Sequence, residues 1–307
     1  MTRFGRLPDP QALFDHDEAA QAFADILDAR ASEEEIEAFL IALTARGETM
    51  VEIAAAAQAM RDRLIPIDAP QGAIDVCGTG GDGHHTLNVS TAVSLVVAAC
   101  GVPVAKHGNR AASSKAGAAD TLEALGLNME RAGQMAQETL KDLGICFLFA
   151  ANHHPAMKRI QPIRLRIGQR TIFNLMGPLA NPARVKRQLI GIANPAYVPV
   201  YAEALHHLGT EHARVISGDE GLDELSLAGG NAVAVVEPSG VRYHRTTAAD
   251  AGLPSYPVEA IRGGDAQHNA LALRKLLQGE HGAYRDAVLF NAAEALIVAG
   301  VVETMPE

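Results

Sequence analysis

The chain has 307 residues, 48 % of them hydrophobic, enough for a sizeable core and for one large or two modest domains. Charged residues make up 20 % and aromatics 4 %, with no Trp, which excludes a charge-dominated disordered chain and an aromatic platform for single-stranded nucleic acid. The formal net charge of −10 speaks against a general polyanion binder. Residues 101–187 nevertheless carry 13 basic and 5 acidic side chains, so an anionic ligand is to be sought in that basic middle.

Residues 1–70 read as helices. Ser32-Glu33-Glu34-Glu35 and Thr49-Met50-Val51-Glu52 have capping-box spacing, followed by apolar stripes at Ile36, Phe39, Leu40, Leu43 and at Ile53, Ala56, Ala57, Met60. The narrow Ala-rich face suggests close helix packing, within the domain or across a dimer. From about Ile74 the pattern alternates: strand Ile74–Val76, helix Ser90–Cys100, strand Val102–Ala105, helix Ser113–Leu125, helix Glu130–Leu143 and strand Ile145–Phe149. Residues 155–187 return to helix and loop. Leu189–Ala193, Tyr201–Leu208 and Ala213–Ile216 resume the alternation, Asn231–Val236 and Val241–His244 read as a hairpin, and helices Ala266–Gln278 and Ala283–Ala299 follow. This predicts an α/β fold with a mainly parallel sheet. There is no internal repeat and no low-complexity segment.

Gly78-Thr79-Gly80-Gly81-Asp82-Gly83 fits G-x-G-x-x-G but is not a dinucleotide site. A polar stretch follows instead of an immediate helix, and the next acid after Asp82 is Asp120. The Walker A pattern also fails, because no Gly-Lys-Ser/Thr ends the loop. What remains is a loop that lets a ligand touch backbone amides, followed by Asn88-Val89-Ser90-Thr91 at a helix start, where an anion is favoured. Lys106-His107-Gly108-Asn109-Arg110-Ala111-Ala112-Ser113-Ser114 follows a strand, the usual ligand position in open α/β sheets. Asp219-Glu220 and Asp223-Glu224 gather four carboxylates that disfavour one another without a cation; magnesium suits such oxygen ligands. A tight turn, a solvated basic loop and a solvated acidic loop are the bland alternatives.

Cys77, Cys100 and Cys146 have no metal spacing, and a reduced cytoplasm is the simplest compartment. Cys77 is read as a small apolar residue. The uncharged stretch Gly83–Ala105 is interrupted by polar residues, Gly101 and Pro103, so a buried helix and strand are expected there rather than a membrane span.

These motifs, with Lys115–Gly126, His153–Lys158, Arg170–Pro182 and Gly221–Ser226, resemble the anthranilate phosphoribosyltransferase family from about Asp17 to Gly300. The resemblance implies transfer of the phosphoribosyl group of phosphoribosyl pyrophosphate (PRPP) to anthranilate, with magnesium, in tryptophan biosynthesis. It implies a small helical domain (1–70, with a returning segment near 155–187) and a larger α/β domain (71–307) of the nucleoside phosphorylase/phosphoribosyltransferase type. It also implies a homodimer through the helical part, with no nucleic-acid or membrane partner. Carried over by motif, Gly78, Gly81, Asp82, Thr86, Asn88, Val89, Ser90, Thr91, Lys106, His107, Gly108, Asn109, Arg110, Ala111, Ala112, Ser113, Ser114 and Ala118 bind PRPP. Gly78, Asn109 and Arg164 meet anthranilate, Ser90, Asp223 and Glu224 serve magnesium, and Lys106, His107 and Asn109 are the catalytic candidates. By residue type alone any cation from Lys158 to Arg170 could pair with a carboxylate; only the motif singles out Arg164. His107 and His154 are candidates for orientation or proton removal, or are structural histidines.

Three departures stand out. Ala118 replaces a Ser common in relatives, and Ser217 replaces a His. Relatives also continue with a further helix or two after the segment resembling Asn291–Gly300. A pyrimidine nucleoside phosphorylase lacks this Lys106–Ser114 stretch, a nucleic-acid-binding relative should be basic with damaged motifs, and intact Asp223-Glu224 and Asn88–Thr91 count against a silent scaffold. If that further helix covers the sheet in relatives, the chain is expected to melt below a version extended by their tail; equal melting temperatures would contradict this.

Overall fold

The computed structural model describes residues 6–111 and 114–306. It opens with helices α1 (His16–Leu27), α2 (Glu33–Arg46) and α3 (Met50–Arg61). Asp15, Ser32 and Thr49 cap them, each side chain accepting the N–H of the third helical residue. Thr49 and Glu52 close the expected reciprocal box. Ser32 and Glu35 do not. The Glu35 carboxylate accepts from the backbone N–H of Arg6 (2.6 Å) and Leu7 (2.8 Å), because the incoming segment offers free amides to the same oxygen.

The alternating region follows as β1 (Ile74–Gly78), α4 (Val89–Ala99), β2 (Val104–Gly108), α5 (Ala118–Ala124), α6 (Met129–Gln134), α7 (Ala136–Leu143) and β3 (Ile145–Phe149). The single helix expected over Glu130–Leu143 is two helices that meet at Met135. Gly133, a poor helix former, lies in this stretch, with the Asn152 side chain where a Cβ would stand. The helix expected from Ser113 begins at Ala118; Ala112 and Ser113 lie outside the described residues. Then come α8 (Ala150–His153), α9 (Met157–Ile167), α10 (Met176–Leu179), β4 (Arg187–Gly191), α11 (Val198–His207), β5 (His212–Gly218), β6 (Asn231–Glu237), β7 (Gly240–Thr246), α12 (Ala266–Leu277) and α13 (Ala283–Ala299).

The strands form one seven-stranded sheet in the order β3-β2-β1-β4-β5-β6-β7. β3 through β5 are parallel, and the β6–β7 hairpin adds antiparallel. The chain leaves β1 toward β2 on one side, while β4 lies on its other side and leads to β5. The strand order therefore reverses between β1 and β4, and the carboxyl ends of these strands open a crevice.

Strand alternation gives the sheet two apolar faces. Ile74, Val76, Val104, Leu189 and Ile216 pack with Val93 and Val97 of α4 and with Phe290 and Val298 of α13. On the opposite face Ile190, Val215 and Val236 pack with Tyr201 and Leu205 of α11, and this core continues without a break into Phe23, Leu40, Ile53 and Ile163 of the helical part. Each such buried side chain contributes roughly 1.5–3 kcal/mol. α11 joins the two regions, lying on β5 and β6 and against α3.

Tyr201 is fully buried, and its hydroxyl donates to the Leu175 carbonyl (2.9 Å) just before α10. Tyr201→Phe leaves that carbonyl without its donor. The expected cost is about 1–3 kcal/mol in urea unfolding; an unchanged midpoint would contradict this link.

Candidate active site

Four segments meet at the carboxyl edge of the sheet: the glycine loop after β1, the start of α4, the end of β2, and the loop after β5. Gly80 and Gly81 have φ of +68° and +80°, a backbone region that L side chains rarely adopt. At Gly78 and Gly191 the constraint is space. A Cβ would stand 2.2 Å from the Asp223 carboxylate at the first and 1.6 Å from the Asp223 carbonyl oxygen at the second. The Asp223 carboxylate accepts the Gly80 N–H at 2.7 Å.

Asp223 and Glu224 lie in an irregular loop after Gly221, so strand alternation does not force them onto opposite faces. Glu224 accepts the Ser90 N–H at the start of α4 (3.1 Å). Burial, then the neighbouring Asp82 carboxylate, raises the Asp223 pKa to about 7. Burial and Asp223 hold Glu224 well above the usual carboxylate range. The other two acids of the quartet have local partners: Asp219 pairs with Arg245, and Glu220 accepts from the Ser226 hydroxyl. Among the described residues no group of three or more His, Cys, Asp or Glu could hold a metal alone. The adjacent carboxylates of half-buried Asp223 and buried Glu224 fit magnesium, which commonly takes one or two carboxylates and completes its shell with substrate phosphates.

Lys106 is 3 % exposed. Its ammonium donates to the Val76 carbonyl (2.7 Å) and lies 3.4 Å from the Ser90 hydroxyl. The structure therefore brings together Lys106, Ser90, Asp223, Glu224 and the glycine loop. His107, next along the strand, points to the other face. Its Nδ1 lies 2.8 Å from the Gly177 carbonyl and its Nε2 3.2 Å from His154 Nε2. A carbonyl only accepts, so Nδ1 carries the proton and the neutral His107 Nε2 accepts from His154. Both nitrogens of His107 are then engaged. Burial, above all, lowers the two pKa values to about 3 for His107 and about 4 for His154.

The remaining candidates are placed as follows. Asn88 turns its side chain inward, donating to the Ala116 carbonyl and accepting from Thr121 and Asn269. Val89 is the first residue of α4, and its N–H donates to the Leu87 carbonyl. The Thr91 hydroxyl is buried without a hydrogen-bond partner among the described residues. Thr86 bridges Arg262, and the Asp82 carboxylate accepts the His84 N–H. Gly108 lies under the Phe147 ring. Asn109 is exposed and accepts the Arg110 N–H. Arg110 pairs with Asp120 and Glu123 and stacks over Phe149. Ala111 donates its N–H to Asp120, Ser114 is exposed, and Ala118 begins α5. Ala112 and Ser113 fall outside the described residues. Arg164 is half-buried on α9, and its side chain has no hydrogen-bond or ion-pair partner among the described residues; burial lowers its pKa. It does not touch Gly78 or Asn109 by a hydrogen bond. Nearby cations differ: Arg166 pairs with Glu33 and Glu37, and Arg170 stacks on Tyr197.

Two residues given no site role in the sequence reading support this site, Asp75 and Asn181. Asp75 had a visible signal, an acid in the middle of an apolar strand. Asn181 was visible only as part of the Arg170–Pro182 motif. Cys77 is buried, and burial pushes its thiol well above the usual range, which agrees with an inert apolar role.

The histidine pair links stability to pH. Both folded pKa values lie below the ordinary 6.5, so between about pH 6.5 and 4 the unfolded chain binds more protons. The stability they contribute is present above 6.5 and is lost as pH falls through that window. The urea midpoint is expected to drop over this range, and to drop less in His154→Gln; identical profiles would contradict the pair's contribution.

Comparison with known proteins agrees with the fold. A glycosyl transferase family helical-bundle model matches residues 12–64, and the family's a/b-domain model matches residues 70–307. The anthranilate phosphoribosyltransferase of Sphingopyxis alaskensis is 78 % identical over 307 residues, covering 100 % of this chain and 92 % of that protein. The crystal structure of the Thermus thermophilus anthranilate phosphoribosyltransferase superposes with a TM-score of 0.91 at 41 % identity, over 96 % of this chain and 89 % of that one. The Saccharomyces cerevisiae anthranilate phosphoribosyltransferase in complex with PRPP and Mg gives 0.87 at 25 % identity, over 99 % and 89 %. At this identity over the whole chain, with the same fold, the chain belongs to the anthranilate phosphoribosyltransferase family.

Proposed function

We propose that the chain transfers the phosphoribosyl group of PRPP to the amine of anthranilate, releasing pyrophosphate. The observation that carries this is the joining of cation, helix start and paired carboxylates in one crevice: Lys106, Ser90, Asp223 and Glu224. The glycine loop beyond Gly80 lets phosphate meet the backbone, while the Val89 and Ser90 N–H groups at the start of α4 are held by Leu87 and Glu224, and the Lys106 ammonium adds fixed positive charge beside them. Ser90, Asp223 and Glu224 would hold magnesium, which when bound would supply positive charge against the pyrophosphate.

The amine nitrogen attacks the anomeric carbon as the bond to the pyrophosphate oxygen breaks, and that oxygen takes the electron pair. The nitrogen then gives up a proton. An aromatic amine is neutral near pH 7 and needs no base before attack. His107 has both nitrogens engaged, so its role is to shape and orient. Arg164, a half-buried cation with no protein partner among the described residues, suits the anthranilate carboxylate through its planar fork. Asn109, exposed at the end of β2, completes the acceptor side. Much of the rate then comes from positioning.

Residues 1–70 with 155–187 are proposed as the helical domain and 71–307 as the PRPP-binding domain. The packing of α9 against α1 and α2 supports this division. Leu13, Ile41 and Leu165 leave exposed apolar surface on the helical part, which supports dimerisation there. Three free cysteines suit a reduced cytoplasm. No described helix is long and apolar enough to cross a membrane.

The test follows anthranilate consumption with PRPP and magnesium, with thymidine or uridine plus phosphate in parallel. Turnover is expected only in the first assay; turnover only in the second would overturn the assignment. Asp223→Asn and Glu224→Gln are expected to lower kcat/KM by about 100-fold or more and to raise the magnesium requirement. Near-complete loss of turnover in His107→Ala with unchanged substrate affinities would contradict the electrostatic reading.

A further inference from the structure

The strands β1 and β2 are neighbours yet barely paired. Their ladder has a single register pair, Ile74 with Val104, whereas β1–β4 and β2–β3 each have five. Past that pair the backbone groups facing the seam need other partners. Three side chains supply them. The Asp75 carboxylate accepts the His107 N–H at 3.1 Å. The Asn181 amide donates to the Ala105 carbonyl at 2.8 Å, and the Lys106 ammonium donates to the Val76 carbonyl at 2.7 Å. The same Asn181 amide also donates to Asp75 at 2.8 Å, and Asn181 accepts the Ala183 N–H at 2.8 Å. Asp75 is 0 % exposed, and its second oxygen also receives the Cys77 thiol at 3.3 Å.

We propose that Asp75, with Asn181 as its arm, is a positioning residue: it stands in for the missing ladder between β1 and β2 and sets where β2 presents Lys106 and His107. A charged acceptor is suited to the task. One carboxylate accepts three donors at once, where a neutral amide would bring a second N–H against the Asn181 N–H and the Cys77 thiol. The seam stays open while these side chains satisfy the His107 N–H and the Ala105 and Val76 carbonyls along it. Lys106 can then lie toward α4 and His107 toward α10, each from a strand held on one side only by β3. The effect on turnover rests on the phosphoribosyl transfer proposed above; the effect on the seam does not.

The experiment compares the full chain with Asp75→Asn and with Cys77→Ala, which touches the same carboxylate without spanning the seam. Native-state hydrogen exchange over residues 104–108 reads the seam directly. Asp75→Asn is expected to lower protection of the His107 amide about 10-fold or more, with protection of β4 and α13 preserved and Cys77→Ala unchanged. Unchanged His107 protection in Asp75→Asn, or an equal loss throughout the sheet, would overturn the proposal. In the anthranilate assay Asp75→Asn is expected to lower kcat about 100-fold with KM values within about 3-fold of the parent, while Cys77→Ala keeps kcat. Parent-like kcat per folded molecule in Asp75→Asn would also overturn it. An inactive parent chain would refute the transferase reading instead, and the exchange result would still decide the role of Asp75.

Discussion

The site depends on one close approach. The loop that carries Asp223 lies against the ends of β1 and β4, in space that only glycine leaves free at Gly78 and Gly191. Because the backbone can come this near, the Asp223 carboxylate reaches the Gly80 amide and Glu224 reaches the first turn of α4. The crevice at the reversal of strand order thus becomes a dense polar cluster rather than an open cleft.

Such a cluster is costly to bury, and its charges explain one another. Two adjacent carboxylates held above their ordinary pKa need positive charge, and the Lys106 ammonium and the amides of the α4 start provide part of it. Lys106 is buried in turn and is held by the Val76 carbonyl. Asp75, inside the sheet, accepts from backbone and side chain on both sides of the seam.

The rest of the molecule supports the crevice from both faces. Strand alternation sends Lys106 toward α4 and His107 toward the segment around Gly177, so consecutive residues serve different walls. The helical part is not an appendage: its core continues into α11 and the underside of β4–β6. α9, which carries Arg164, packs on α1 and α2 and is therefore positioned by the helical bundle.

Much of this was legible in the chain itself. Apolar spacing placed nearly every helix and strand, since local periodicity and punctuation decide element type. The run of glycines, the basic stretch Lys106–Ser114 and the pair Asp223-Glu224 marked the ligand chemistry, because phosphate and magnesium demand those residue types. Local spacing failed where distant partners compete: Glu35 left its capping box for the Arg6 and Leu7 amides. The sequence by itself determined the fold class, the family and the chemical character of the site. Only the tertiary structure decided that β1 and β2 part, that Asp75 and Asn181 fill the seam, and that His107 pairs with His154. Those facts rest on hydrogen bonds between residues 30 to 106 positions apart, which no local pattern encodes.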